Sequence, residues 1–296
     1  MKARLLTSWL FVECKPQERW SRPKFFVRER IRARCYDKVT DMSASLTATD
    51  PADVVLSLPE WYPLKNIFRT VDRRDGMFVH NGAEHYLRVG LSALEAIERA
   101  TEEISPATIL DMACGFGRVT RALRGKFPDS RITVCDLTKE GVDFCAAHFN
   151  ARGVYATTDF STLDLKEKYN LIWVGSLITH IDAEQIRAFF HFLRRHLASR
   201  GHAVVTSCGP FVAGVVSANW HSKQPAYGIV VDKLGPMLDS FFKTGFAYAD
   251  YPNQEGYGIA LCSENWLRTE IGNAGGIMKS YTPIGWDNHQ DVVSFV

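Results

Sequence analysis

Residues 107–123, Ala-Thr-Ile-Leu-Asp-Met-Ala-Cys-Gly-Phe-Gly-Arg-Val-Thr-Arg-Ala-Leu, constrain the fold more than any other stretch of the chain. An apolar run ends in an acid, crosses two glycines and turns helical, which reads as a strand, a tight loop and a helix start. Ile109 and Leu110 suit a buried parallel strand. Gly115 and Gly117 let the backbone come close to a ligand, and the free N–H groups of a helix opening near Gly117 attract negative charge or lone pairs. A nucleotide-like ligand is expected across this loop.

The next apolar run, Arg131-Ile-Thr-Val-Cys-Asp-Leu137, ends at Asp136. That acid lies about 20 residues beyond the glycines, where a carboxylate at a strand tip can accept both ribose hydroxyls. Asp111 and Asp136 together read as adenosine recognition. A nicotinamide dinucleotide fingerprint wants Gly-x-Gly-x-x-Gly, whereas Gly115-Phe-Gly117-Arg-Val-Thr120 lacks its third glycine and follows an acid that is no part of it.

From residue 107 onward strands and helices alternate, with strands expected at 107–113, 131–136, 154–158, 169–175 and 202–208. Asp182 with Gln185 makes a capping box for a helix striped by Ile186, Phe189, Phe190, Leu193 and Leu197 and ended by Gly201. Ser263 caps a helix carrying Trp266, Leu267 and Ile271, which Gly275-Gly276 stops. Two β-like runs, 277–284 and 291–296, then form an antiparallel terminal hairpin. The expected fold is α/β, a doubly wound and mostly parallel sheet closed by that hairpin.

The glycine loop, its two acids and the terminal hairpin resemble the class I S-adenosylmethionine-dependent methyltransferases over roughly residues 85–296. Their first motif runs acid-x-Gly-x-Gly-x-Gly; Ala113 is read at the first glycine and Arg118 at the third. The resemblance implies a Rossmann-like methyltransferase fold and S-adenosyl-L-methionine as cofactor. It places cofactor contacts at Asp111, Ala113, Cys114, Gly115, Gly117 and Arg118 in the first loop, and at Asp136 and Leu137 after the second strand. After the third strand it sets Asp159 near the adenine amino group and Phe160 on the ring face. Gly175 and Ser176 flank the switch-point crevice, and the segment before the first strand often folds over the cofactor, so Tyr86, with His85 and Arg88, is a further candidate.

A sulfonium donor implies in-line displacement, in which the protein aligns the partners and removes a proton if the acceptor needs it. His180, in Gly175-Ser-Leu-Ile-Thr-His-Ile181, is placed to act as that base. Arg118 sits where a helix dipole disfavours a cation by roughly a few tenths of a kcal/mol, which an anion such as the donor's carboxylate or an acidic acceptor would offset. The acceptor is expected to be a small molecule or sugar-like. A NAD-dependent oxidoreductase and a non-catalytic cofactor-binding module stay open as alternatives. Nucleic-acid methylation is disfavoured, because the loop after the fourth strand lacks an Asn/Asp-Pro-Pro-aromatic tetrad and no Pro-Cys pair occurs.

With 296 residues, 46% of them apolar, the chain has room for one domain with additions. The expected organisation is a basic, loosely ordered extension over 1–42, an N-terminal cap and helix over 43–105, and the main domain over 106–296 with an insertion at 210–262. Residues 1–40 hold 11 Lys+Arg against 4 Asp+Glu, so the arm carries +7 of the +2 net charge and the body −5. Such an arm could meet nucleic acid or a membrane surface, but a plain extension is the simpler reading, and Met42 is an alternative start. The insertion holds nine aromatics in 53 positions, which fits either a lid lining an acceptor pocket or a satellite core. Seven cysteines show no Cys-x-x-Cys pair and no metal-ligand spacing, so no metal is expected and a reducing, cytoplasmic compartment is. Thr7 and Ser8 interrupt the first apolar stretch, which argues against a signal peptide or membrane span there.

Overall fold

The computed structural model describes residues 53–79, 82–101 and 104–296. The basic extension over 1–42 lies outside these residues, as does most of the expected opening of the cap. In chain order the elements are β1 (Val54–Val55), β2 (Thr70–Val71), α1 (Gly76–Val79), α2 (Gly82–Thr101), β3 (Thr108–Met112), α3 (Thr120–Lys126), β4 (Arg131–Asp136), α4 (Lys139–His148) and β5 (Ala151–Tyr155). There follow β6 (Tyr169–Val174), α5 (Ala183–His196), β7 (Leu197–Ser207), α6 (Pro210–His221), α7 (Val231–Thr244), β8 (Phe246–Tyr251), β9 (Gln254–Cys262), α8 (Glu264–Asn273), β10 (Met278–Trp286) and β11 (Gln290–Phe295).

The central sheet has the order β10-β11-β7-β6-β3-β4-β5. The five strands from β7 to β5 are parallel, and β11 and β10 add to them antiparallel. The chain winds outward through β3, β4 and β5, then crosses back to lay β6 on the other side of β3. A crevice therefore opens beyond the carboxyl ends of β3 and β6. Successive residues of β3 feed opposite faces: Ile109 packs with α2, α3 and α4, and Leu110 with α5 and α8. Both faces are covered, which is why these strands read as continuous apolar runs.

Helix α5 opens on the expected capping box: the Gln185 N–H donates to Asp182 Oδ1 at 2.9 Å, and the Asp182 N–H donates to Gln185 Oε1 at 3.3 Å. It ends at His196, not at Gly201. Leu197 already belongs to β7, where it pairs with Tyr169, and Gly201 lies in the register shift that follows. A Cβ at Gly201 would come within 2.4 Å of the Tyr169 carbonyl oxygen, so that glycine serves strand packing. The third strand of the core also lies three residues earlier than its composition suggests, because Ala151 registers with Ile132 and Tyr155 with Asp136.

Before β3, Leu56, Tyr62, Ile67 and Val71 bury a small cap core against Tyr86 and Leu87 of α2. Arg121 ties this cap to α3: its guanidinium is buried and donates to the carbonyls of Phe68 at 2.6 Å and Thr70 at 3.3 Å. The insertion folds as α6, α7 and the β8–β9 hairpin around its own core, which includes Val212, Leu234, Phe241 and Leu261. No helix among the described residues is long and apolar enough to cross a membrane.

Candidate cofactor site

A cavity of about 370 Å³ opens beyond the carboxyl ends of β3, β4 and β5. Met112 and Ala113 supply one side of it, Asp136 and Leu137 the next, and Ala156, Thr157, Thr158 and Phe160 a third. Leu177, Ile181 and Gln185 come from the β6–α5 connection, and Glu255, Gly256 and Tyr257 from the β8–β9 hairpin. Among the described residues that line it, the two charged ones, Asp136 and Glu255, are both acids, and none is a Lys, Arg or His.

The loop after β3 is built on three left-handed residues, Ala113 (φ 63°), Gly115 (φ 51°) and Gly117 (φ 82°). The two glycines do different work. At Gly115 a Cβ would meet nothing within 4 Å, so its bare face looks into open space. At Gly117 a Cβ would come within 2.3 Å of Phe149 Cε2 and 2.9 Å of Cys145 Sγ, so this glycine lets the loop close on α4. Gly117 is thus the third glycine of the motif, performing the packing role expected of that position. Arg118, read from sequence at that position, follows it, and the first helical residue is only Thr120.

Asp136 ends β4 and lines the cavity. Its carboxylate accepts the Gly115 N–H at Oδ2 and the Thr138 N–H at Oδ1, both at 2.8 Å, so it shapes the loop while facing the cavity. Leu137 beside it is 57% exposed, an apolar side chain presented to the cavity. Phe160 lines the cavity with its back against Phe189 and Phe192.

Other expected contacts stand elsewhere. Asp111 is buried beneath the loop and accepts the Thr120 Oγ1 hydroxyl at 2.6 Å; burial pushes its carboxyl up to about 7. It therefore supports the loop from below. Cys114 is buried beside Cys145, and that neighbouring thiol together with burial raises the Cys114 pKa. Asp159 does not line the cavity: β5 ends at Tyr155, and the carboxylate is taken up within its own turn by the Ser161 N–H at 2.9 Å and the Thr162 hydroxyl at 3.1 Å. Those bonds, the Ser161 side chain's first, hold its pKa below the usual carboxylate value.

Tyr86 points into the cap core and donates to Asp75 Oδ2 at 2.7 Å, which leaves it no face toward the cavity. Arg118 turns to the β10–β11 connection, 5.6 Å over the Trp286 ring, where burial lowers its pKa against the opposing charge of Asp287. Gly175 gives room to Trp173 and Trp286, whose atoms would stand 3.1 and 3.2 Å from a Cβ. Ser176 is left-handed (φ 58°) and belongs to a polar network: its N–H donates to Thr206 Oγ1 at 2.7 Å, and its hydroxyl accepts from Gln290 Nε2 at 3.0 Å.

His180 sits between the crevice loop and the insertion. Its Nδ1–H donates to the Gly258 carbonyl at 2.9 Å, and its ring stacks on Tyr257 at 5.1 Å. Burial lowers its pKa below the ordinary value, so the ring is neutral near pH 7. A donating Nδ1 leaves Nε2 with a free lone pair. Of the lining residues the sequence reading named Ala113, Asp136, Leu137 and Phe160 as contacts; it missed, among others, Thr157, Thr158, Glu255, Gly256 and Tyr257. Tyr251-Pro-Asn-Gln254 is a turn signal that could have found the hairpin, with Asn253 left-handed at φ 62°.

An acceptor carboxylate, two apolar faces and open space at Gly115 fit an adenosine. Residues 109–201 match the family model described as a methyltransferase domain. A malonyl-[acyl-carrier protein] O-methyltransferase of Acetivibrio thermocellus is 35% identical over 65 residues, 22% of this chain and 23% of that protein. A ubiquinone biosynthesis O-methyltransferase of Rickettsia conorii is 24% identical over 135 residues, 43% of this chain and 45% of that protein. The chain thus spans less than half the length of these curated relatives. The solved glycopeptide N-methyltransferase MtfA complexed with S-adenosyl-L-methionine aligns with 69% of this chain and 86% of its own, at 16% identity and a TM-score of 0.47. With the sheet order, the glycine loop and the matched segment in agreement, the chain carries a class I S-adenosylmethionine-dependent methyltransferase domain.

Proposed function

We propose that the chain transfers a methyl group from S-adenosyl-L-methionine to an oxygen of a small-molecule or sugar-like acceptor. The sheet's edge carries this reading: β11 and β10 add antiparallel beyond β7, where a dinucleotide-binding sheet continues parallel, and residues 109–201 match a methyltransferase domain. In this reading Asp136 holds the ribose hydroxyls, Leu137 and Phe160 give the base its apolar faces, and the glycine loop takes the rest of the ligand. Residues 43–105 act as a cap on the domain of 106–296.

When bound, S-adenosylmethionine supplies an electrophilic methyl group on a positive sulfur. The chain's own part is alignment and proton removal. His180 supports an oxygen acceptor because it is neutral near pH 7 and carries its lone pair on Nε2. Two of the curated relatives, by their names, also methylate oxygen.

Titration calorimetry with S-adenosylhomocysteine and with NAD tests the cofactor. The parent chain should bind the former and not the latter, and Asp136→Ala should weaken binding by about 1.5–3 kcal/mol, the loss of hydrogen bonds to a charged group. NAD binding tighter than S-adenosylhomocysteine, or an Asp136→Ala affinity equal to the parent's, would overturn the assignment.

A further inference from the structure

We propose that the tip of the β8–β9 hairpin, Glu255-Gly256-Tyr257, is a wall of the adenosine pocket, so that the insertion at 210–262 is a cofactor-binding element with Tyr257 as its closing side chain. The proposal rests on the cofactor reading given above.

Three observations carry it. The hairpin tip lines the same cavity as Asp136 and Leu137, although it comes from more than 100 residues further along the chain and from outside the matched segment 109–201. The tip is also held there. The Gly258 and Ala260 N–H groups donate to the carbonyls of His180 and Thr179 at 3.0 and 2.9 Å, and the Cys262 N–H donates to Cys208 at 2.8 Å. The Nδ1–H of His180 returns a bond to Gly258, so the crevice loop and the hairpin are laced together on both sides.

Tyr257, finally, has no part in the insertion's own core. That core takes Ala247, Ala249, Ile259 and Leu261 from the two strands and leaves the Tyr257 ring 46% exposed, between His180 on one side and the cavity on the other. Burial and, second, the charge of Asp136 raise the pKa of its phenol, as befits a ring across the cavity from that carboxylate. Gly256 (φ 76°) has nothing within 4 Å of a would-be Cβ, which keeps the tip thin where it meets the cavity. A half-exposed aromatic on an anchored hairpin gains most of its remaining burial from a ligand.

Calorimetry with S-adenosylhomocysteine on the full chain tests this beside hydrogen exchange. Tyr257→Ala should raise Kd about ten- to a hundredfold, the scale of removing an aromatic wall from a bound nucleoside, and Tyr257→Phe should stay within about twofold of the parent. Exchange needs no variant: the ligand should further slow the amides of residues 254–258. An unchanged Kd in Tyr257→Ala while Asp136→Ala is weakened, or exchange at 254–258 that ignores the ligand, overturns the hairpin's role and leaves the cofactor reading standing. A parent chain that does not bind S-adenosylhomocysteine overturns both.

Discussion

The two glycines of the first loop should respond to alanine in opposite ways. At Gly115 (φ 51°) an added methyl meets open space, so the stability cost is the left-handed backbone alone, about 1 kcal/mol after the smaller unfolded-state entropy is counted. At Gly117 (φ 82°) the same backbone cost applies, and the methyl would sit 2.3 Å from Phe149 Cε2. Phe149 cannot step aside cheaply. It is 2% exposed and packed edge-on against Phe68 and Phe144, with the Arg121 guanidinium 5.3 Å from its ring. Overpacking of that kind adds about 1–3 kcal/mol, which brings Gly117→Ala to about 3 kcal/mol. Ligand-free thermal melts should then fall by roughly 3 °C for Gly115→Ala and by roughly 10 °C for Gly117→Ala, at 2–4 °C per kcal/mol for a domain of this size. Calorimetry with S-adenosylhomocysteine should show the greater loss of affinity per degree of melting in Gly115→Ala, whose bare face looks into open space. Equal melting temperatures, or a lower one for Gly115→Ala, would refute this division of labour.

Asp111→Asn should flatten the dependence of stability on pH. The folded pKa near 7 lies above the ordinary 3.8, so the carboxyl's favourable contribution is complete below about pH 4 and is lost as pH rises through 7. Urea midpoints should show the parent losing about 3 kcal/mol more than the variant between pH 4.5 and 7.5; parallel curves would place no such titration there. Arg121→Met keeps the apolar stem but leaves the Phe68 and Thr70 carbonyls without their donor, and should cost about 2–4 kcal/mol in a denaturant melt. Limited proteolysis should then cut first within 53–79. For a hydroxyl acceptor, His180→Ala should lower turnover by about 10²–10⁴, and the parent's rate should rise with pH through a value below 6.5 and stay level above it. A loss under about threefold would point to an acceptor that needs no base.

What the sequence by itself determined is local. The strand, loop and helix at 107–123, the capping box at Asp182 and Gln185, the Ser263 cap and the terminal hairpin all depend on residues within a turn or two of one another, and each stands where periodicity and capping chemistry put it. Asp136 was legible for the same reason, as an acid ending an apolar run. What a side chain faces was decided only by the tertiary structure. Asp159 turns into its own loop because β5 pairs with β4 three residues earlier than composition suggests. Tyr86 is claimed by Asp75, and Arg118 lies over Trp286, which is more than 160 residues away in the chain. Glu255 and Tyr257 reach the cavity because backbone bonds tie their hairpin to Thr179 and His180. Propensity, caps and turns act over a few residues, whereas a site's walls are set by pairings and close packing between elements whose separation along the chain leaves no periodic mark on it.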